Sequence, residues 1–500
     1  MNARSAGWVR MWALIAAIVV SSLLLWGCDT GDTEESAISD ALKAGCAAGD
    51  NTETGLQGQS TLAERLGGSS AKGINCNLTL IGQFKGEGAY HAQTWIDDCS
   101  YYSTANGTQA HPGVAVIDVS DPTRPVATAY MSAPGMLQTW ESLKISTARH
   151  LIAGVLTNAP DFALYDVTDC KHPVLKASVQ LVAPDGSAIR GHAGAMAPDG
   201  RTYYQATYPL SLAIVDIENT AAPKVMLNWM PADGIGLPHD LAVSRDNNRL
   251  YIMQPGSSVT GMNGLVVLDV SDFHSRRANP QVRVIGTHFW PDGGIAMTAE
   301  EITIQGKPYL LASDEIQAGT RAQACAAGTP LFAFGRIIDI SDIAHPFTVT
   351  KLMLAIDDPK NCAKLATDLG FQNTGFGYSA HYCTADNRED TRLVACSRHE
   401  AGIRVFDVSV IGNAREIAYY KPPIRTGENL PGSGINGTPD RTYDWSKSHS
   451  RFLSRNGRFE LWTTSADNGF QVLQFSDSLV VREPALFNRV PTSLATITVP

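Results

Sequence analysis

Seven short stretches of the chain carry a histidine or a glutamate at a matching point: Ala89-Tyr90-His91, Trp140-Glu141, Gly191-His192, Pro238-His239, Ala299-Glu300-Glu301, Ala380-His381 and Ser448-His449. Imidazole nitrogens together with carboxylate oxygens are the donors that Zn, Fe, Cu or Mn take from proteins. Three or four of them meeting at one point would hold one divalent transition metal and leave a position open for water. His91, His192, His239, His381 and His449 are the candidate ligands. Glu141 or Glu300 would then serve as an extra ligand or as a general base. The spacing to the next turn is shared as well, from His192 to Asp199, His239 to Asp246 and His449 to Asn456. A plainer account stands beside this one: a polar residue copied by duplication can simply bond neighbouring backbone or trapped water.

Such residues meet only if the elements that carry them are arranged around a common point. The strand Gly113-Val-Ala-Val-Ile-Asp118-Val-Ser-Asp-Pro122 recurs, with variations, ending at Asp166, Asp216, Asp269, Asp339 and Asp407, and in a degraded form at Gln474. The steps between these positions are 48, 50, 53, 70, 68 and 67 residues. Units of that length, each holding several short strands between turn residues, match four-stranded propeller blades. The repeated aspartates read as turn caps rather than catalytic groups, because Asp and Ser side chains bond the backbone N–H groups of a turn. The first strand of a blade is innermost, so residues at its start encircle the mouth of the central channel. Trp140 and Trp445 precede ring residues, and Trp290 lies in the connection leading to Glu300. Arg398-His399-Glu400 ends a second strand and could overlook the channel mouth too, with an ordinary polar loop as the plainer reading.

The repeated "V-I-D-V-S-D-P" strand resembles the LVIVD-repeat family of secreted proteins over residues from about 77 to 480. The resemblance implies a β-propeller and no particular activity. The expected fold is all-β, a seven-bladed β-propeller of four-stranded blades. Open blades expose strand edges that proteins must pair or cover. Asn77-Leu-Thr-Leu-Ile-Gly-Gln-Phe84 is therefore expected to close the last blade as its outer strand, with Leu479-Val-Val-Arg-Glu483 as the alternative.

The totals narrow the function. A net charge of −10 without a Lys/Arg cluster argues against nucleic acid, which needs a concentrated positive face. Neither a Gly-x-Ser-x-Gly elbow nor a phosphate loop nor a Rossmann fingerprint occurs, so serine-nucleophile and nucleotide chemistry lack support. Arg4, Arg10 and the apolar run from Met11 to Trp26, ending at Cys28, read as a lipoprotein-type signal over 1–28, with lipidation at Cys28. The run is short for a membrane span, which takes ~20 residues. Residues 29–75 read as a flexible linker, 76–480 as the propeller and 481–500 as a tail. Without Cys28 eight cysteines remain, suited to an oxidising compartment. Cys383 and Cys396 flank an acidic turn and are expected to pair, as are Cys325 and Cys362; Cys46, Cys76, Cys99 and Cys170 stay unassigned.

Two functions fit. The first is a binding platform of the cell envelope, lipid-anchored to a membrane, presenting its channel-mouth face to a protein or small-molecule ligand. The alternative is a metal-dependent hydrolase or oxidase with a His/Glu-ligated ion at the channel.

Overall fold

The recurring β-branched run forms the third strand of each blade, as in Val114–Asp118, Leu212–Asp216, Gly264–Asp269 and Gly335–Asp339. Val114, Ala115, Val116 and Ile117 are all fully buried. A strand covered on both faces reads as a continuous apolar run rather than an alternating one, and that is why this stretch repeats so legibly. Each run stops at its aspartate for a local reason. Asp118 Oδ1 accepts from the Ser120 backbone N–H at 2.9 Å, and Asp166, Asp216, Asp269, Asp339 and Asp407 accept from the residue two further on. The six carboxylates cap turns.

This computed structural model describes residues 43–67, 70–105, 111–256, 261–372, 375–424, 429–434 and 444–492. Cys28 and the signal-like segment lie outside them. Seven antiparallel sheets follow one another, and their first strands pack side by side around a common axis. Blades 1 to 6 run in chain order, with first strands Gln93–Ile96, Lys144–Ser146, Gly191–Met196, Asp240–Val243, Ala296–Ile304 and Ala380–Ala385. Blade 7 takes Arg451–Arg455, Arg458–Ser465 and Gly469–Phe475 from the end of the chain and Leu78–Phe84 from its beginning. Leu78 pairs with Phe475 and Phe84 with Phe470, so the N-terminal strand fastens the ring. The alternative segment instead forms a short helix, Asp477–Arg482, capped by Ser476.

The core is divided among the seams between blades. Each seam holds its own apolar cluster, for example Tyr251, Met253, Leu265 and Val267 of blade 4 against Leu310, Ala312 and Ile338 of blade 5. The closing seam is built the same way, with Tyr102, Ala115 and Ile117 of blade 1 against Leu453, Trp462 and Val472 of blade 7. Four disulfides are present: Cys383–Cys396 and Cys325–Cys362, together with Cys46–Cys76 and Cys99–Cys170.

One boundary expectation needs correction. Residues 43–67 and 70–75 are not a flexible linker, because their polar side chains meet buried counter-charges. Glu53 lies 2.9 Å from Arg404 and 3.1 Å from Lys421, and Gln57 donates to Glu416 at 2.9 Å. Arg65 donates to Tyr378 Oη at 3.0 Å, and Ile74–Cys76 adds a fifth strand to blade 6. The tail is fixed too, as far as it is described: Phe487 packs on Phe475 and Phe459, and the Ser454 N–H donates to the Pro491 carbonyl. Among the described residues no helix is long and apolar enough to cross a membrane.

Candidate metal centre at the channel mouth

The donors are set by the starts of the inner strands and the ends of the second strands. In blades 3 and 6 the pairing of first with second strand is irregular where the histidine sits, between Gly191 and Gly194 and between Ala380 and Cys383. A bulge re-aims side chains next to sites, and here it takes in His192 and His381. Glu141 follows Trp140, whose φ of 42° is left-handed, a conformation that costs a non-glycine residue ~1–3 kcal/mol. The Trp140 ring then stands edge-on to His192, with centroids 5.1 Å apart.

The side chains so placed converge. His91 Nδ1 is 3.3 Å from Glu141 Oε1, and His192 Nε2 is 3.8 Å from Glu141 Oε2. His381 Nε2 lies 3.8 Å from Glu141 Oε1 and 3.4 Å from Glu315 Oε1. His239 Nε2 is 3.6 Å from Glu315 Oε2. Ligands held ~2.1 Å from a tetrahedral ion stand ~3.4 Å apart, which matches these separations. His91, Glu141 and His381 by themselves form a buried triad whose donor atoms lie within 4.8 Å of one another.

Three of the imidazoles are oriented from behind. His239 Nδ1 lies 3.1 Å from the Ala296 carbonyl, His381 Nδ1 2.6 Å from the Lys447 carbonyl and His399 Nδ1 3.0 Å from the Ser379 carbonyl. A carbonyl only accepts, so each Nδ1 carries the proton and each Nε2 presents a lone pair. Metal-ligating histidines are fixed in this way. Two of these lone pairs are left without hydrogen-bond partners: His381 Nε2 and His399 Nε2 are orphaned in the interior, as are His91 Nδ1, both nitrogens of His192 and Glu141 Oε2. Buried polar atoms are nearly always satisfied, so this concentration of orphans at one point is what a cation would resolve. The residues present fit such an ion.

Burial shapes the electrostatics. It drives the His91 and His399 imidazoles well below their ordinary range, helped by Lys447 and the neighbouring histidines, and brings His192 to about 3. These rings are therefore neutral, the form that ligates. Burial and the Glu315 charge push Glu141 well above the usual carboxylate range. Lys447 closes the rim, its Nζ 4.5 Å from the Tyr90 ring centre and 2.6 Å from the Gly434 carbonyl; burial lowers it to about 7.

Of the residues expected at the site, His91, Glu141, His192, His239 and His381 come together. Glu300 and His449 do not. Glu300 faces the far end of the inner strands, where it accepts from Arg388 at 2.5 Å and from the Ala385 N–H at 2.8 Å. The first strand of blade 5 is nine residues long and already begins at Ala296, so Glu300 sits past the mouth. His449 lies against Tyr382, with ring centres 3.9 Å apart and Nδ1 3.1 Å from Thr384 Oγ1. Blade 5 contributes Glu315 instead, from the residue after its second strand, Lys307–Asp314. His399 occupies the same position after Leu393–Arg398 in blade 6, stacked on Phe376 and 5.3 Å from His381 between ring centres. The common register of Asp314-Glu315 and Arg398-His399 is the signal that finds both.

No protein-family model matches the chain, and no curated protein does. Among solved structures it is similar to the β-propeller domain of Cps50 (Swd1) from Myceliophteria thermophila, with 11% identity, a TM-score of 0.49, and 80% of this chain and 99% of that one covered. It is also similar to the C-terminal WD40 domain of Sif2, with 11% identity, a TM-score of 0.46 and coverage of 80% and 98%. A third is hydrazine synthase of Kuenenia stuttgartiensis, with 12% identity, a TM-score of 0.37 and coverage of 67% and 78%.

Proposed function

We propose that the protein is a cell-envelope propeller of the LVIVD-repeat type whose channel-mouth face is a binding surface built around a divalent transition metal. The observation that carries the metal reading is the set of buried, orphaned donor atoms on His91, Glu141, His192, His381 and His399. His91, Glu141, His192, His239, Glu315 and His381 would hold the metal, with Nδ1 of His239 and His381 fixed by backbone carbonyls. Bound there, the ion would supply Lewis acidity to an oxygen or nitrogen ligand entering from the mouth. Trp140 and Tyr90 stand over the His91 side and Trp445 over His399, offering apolar contact to such a ligand. Four disulfides support an oxidising compartment, in keeping with export and with a lipid anchor at Cys28.

A second reading, a metal-dependent hydrolase or oxidase, is favoured by Lys447. Its buried amine donates to the Gly434 carbonyl at 2.6 Å, feels the charges of Glu141 and Glu315, and is lowered by burial to about 7, so it can hold or release a proton at the rim. Elemental analysis of the purified full-length protein after equilibration with Zn, Cu, Fe and Mn tests the metal reading common to both. Stoichiometric metal, lost in the His192→Ala/His239→Ala double variant, is expected. A folded protein that retains none of these ions overturns it.

A further inference from the structure

Resting on the metal reading above, we propose that residues 429–434 form a clasp over the His91 side of the channel mouth, latched by Lys447, and that its release admits the ion.

The segment belongs to the connection between blades 6 and 7, yet it is fastened on the lead-in to blade 1 and the end of that blade's second strand. The Gly88 N–H donates to the Pro431 carbonyl at 2.8 Å, the Ala105 N–H to the Gly432 carbonyl at 2.8 Å, and the Gly434 N–H to the Ala89 carbonyl at 3.0 Å. Blade 7 adds a bond from the Leu430 N–H to Asp467 Oδ1 at 3.0 Å. The fit is close, and glycine permits it: a Cβ at Gly88 would lie 2.7 Å from the Ser433 Cα, and one at Gly434 would lie 2.1 Å from Tyr90 Cδ2. These bonds join loop to loop and belong to no sheet ladder. Local opening is drawn from contacts of this kind.

Beneath the clasp lies the donor cluster. Tyr90, packed under Gly434, stands edge-on to His91 with ring centres 4.1 Å apart. Trp140, Glu141 and His381 close His91 in from the other blades, and only 5% of it is exposed. An ion reaches His91 when one of these neighbours moves. Glu141 is tied to Ala193 of blade 3, and His381 lies within the strand Ala380–Ala385; the clasp is held by isolated bonds.

Lys447 joins the clasp to the cluster twice. Its Nζ donates to the Gly434 carbonyl at 2.6 Å and lies 4.5 Å from the centre of the Tyr90 ring. Its own carbonyl accepts from His381 Nδ1 at 2.6 Å. Lys447 is 1% exposed, so water does not compete for the bond to Gly434 while the clasp is shut. Breaking that bond frees the segment and the Tyr90 ring beneath it, and leaves the main chain behind His381 in place.

Co(II) uptake by the chelator-stripped full-length protein, and release of Co(II) to excess chelator, both followed by stopped-flow absorbance, test this. In Lys447→Met both rates rise about tenfold or more, the weight of one buried hydrogen bond to a charged group, with the amount bound at saturation unchanged. Gly434→Ala, whose methyl group has no room against Tyr90, gives the same result from the other side of the clasp. Hydrogen exchange shows lost protection in peptides covering 86–92 and 429–434 and unchanged protection in the buried strand Gly264–Asp269. Removal of the Lys447 charge by itself would speed uptake and slow release. That pattern overturns the clasp, as do parent rates in both variants, and either leaves the metal reading standing; binding of no Co(II) by the parent protein overturns both. Should Lys447→Met fail to fold, Gly434→Ala carries the same measurement.

Discussion

Replacing Glu53 with alanine removes one carboxylate from a buried group of four charges. Glu53 and Glu416 face Arg404 at 2.9 and 3.0 Å, and Lys421 lies 3.1 Å from Glu53. Glu53, Arg404 and Glu416 side chains are wholly shielded from solvent and Lys421 is 7% exposed, so the two positive and two negative groups balance inside the protein. Glu53→Ala leaves one positive charge unmatched, and the Gly58 N–H loses the acceptor it meets at 3.2 Å. Breaking a buried pair in this way costs roughly 3–5 kcal/mol, whereas a solvated pair is worth ~0–1 kcal/mol. The expected result in urea unfolding followed by tryptophan fluorescence is a lower midpoint at an unchanged slope, with the loss in the upper range. A second change, Arg404→Met, should restore part of it, since the unmatched charge then leaves with its side chain. A loss below ~1 kcal/mol would refute the reasoning, because it would mean that residues 43–67 are solvated and not part of the folded body.

Other perturbations give separate expectations. Burial raises the Asp386 carboxyl to about 7, so between its unfolded value and that point the folded chain binds the extra proton. Stability from this group is full below pH ~4 and is lost as pH rises through ~7, by on the order of 4 kcal/mol. Asp386→Asn keeps the acceptor oxygen used by the Arg392 and Leu393 N–H groups, and should flatten this part of the pH profile in denaturant titrations at pH 5 and 8. A methyl group at Gly82 would lie 1.9 Å from the Pro122 carbonyl oxygen across the closing seam, so Gly82→Ala should cost roughly 1–3 kcal/mol by calorimetry. Cys46→Ser/Cys76→Ser opens a link between residues 30 apart and should cost roughly 3–4 kcal/mol. That loss should not add fully to Glu53→Ala, because both changes release the same segment. Glu300→Gln, far from the donor cluster, should leave metal content unchanged by elemental analysis.

The propeller was legible because its signal repeats. A strand covered on both faces must be apolar throughout, and a turn closed by Asp leaves a carboxylate behind in each unit, so six copies stand out. The ring was partly legible for a related reason, since His192, His239 and His381 begin strands in comparable surroundings. Glu300 misled because the long inner strand of blade 5 carries its acidic pair past the mouth, while Glu315 escaped notice because it follows a second strand. His399 was visible but looked like loop chemistry; nothing local reveals that Phe376 and Trp445 enclose it. The segment around Glu53 was hidden more deeply. Its polar composition is that of a tether, and only partners more than 300 positions away, Arg404 and Tyr378 among them, turn it into packed structure.

Blades 1 through 6 each send at least one group to the mouth, from His91 through Glu141, His192, His239 and Glu315 to His381 and His399. No fragment that lacks one of these blades carries the whole set, and an unclosed array would hold its members apart. Assembly of this centre is thus a record of the circle's completion: nascent or broken chains are barred from it by geometry, with no separate checkpoint required.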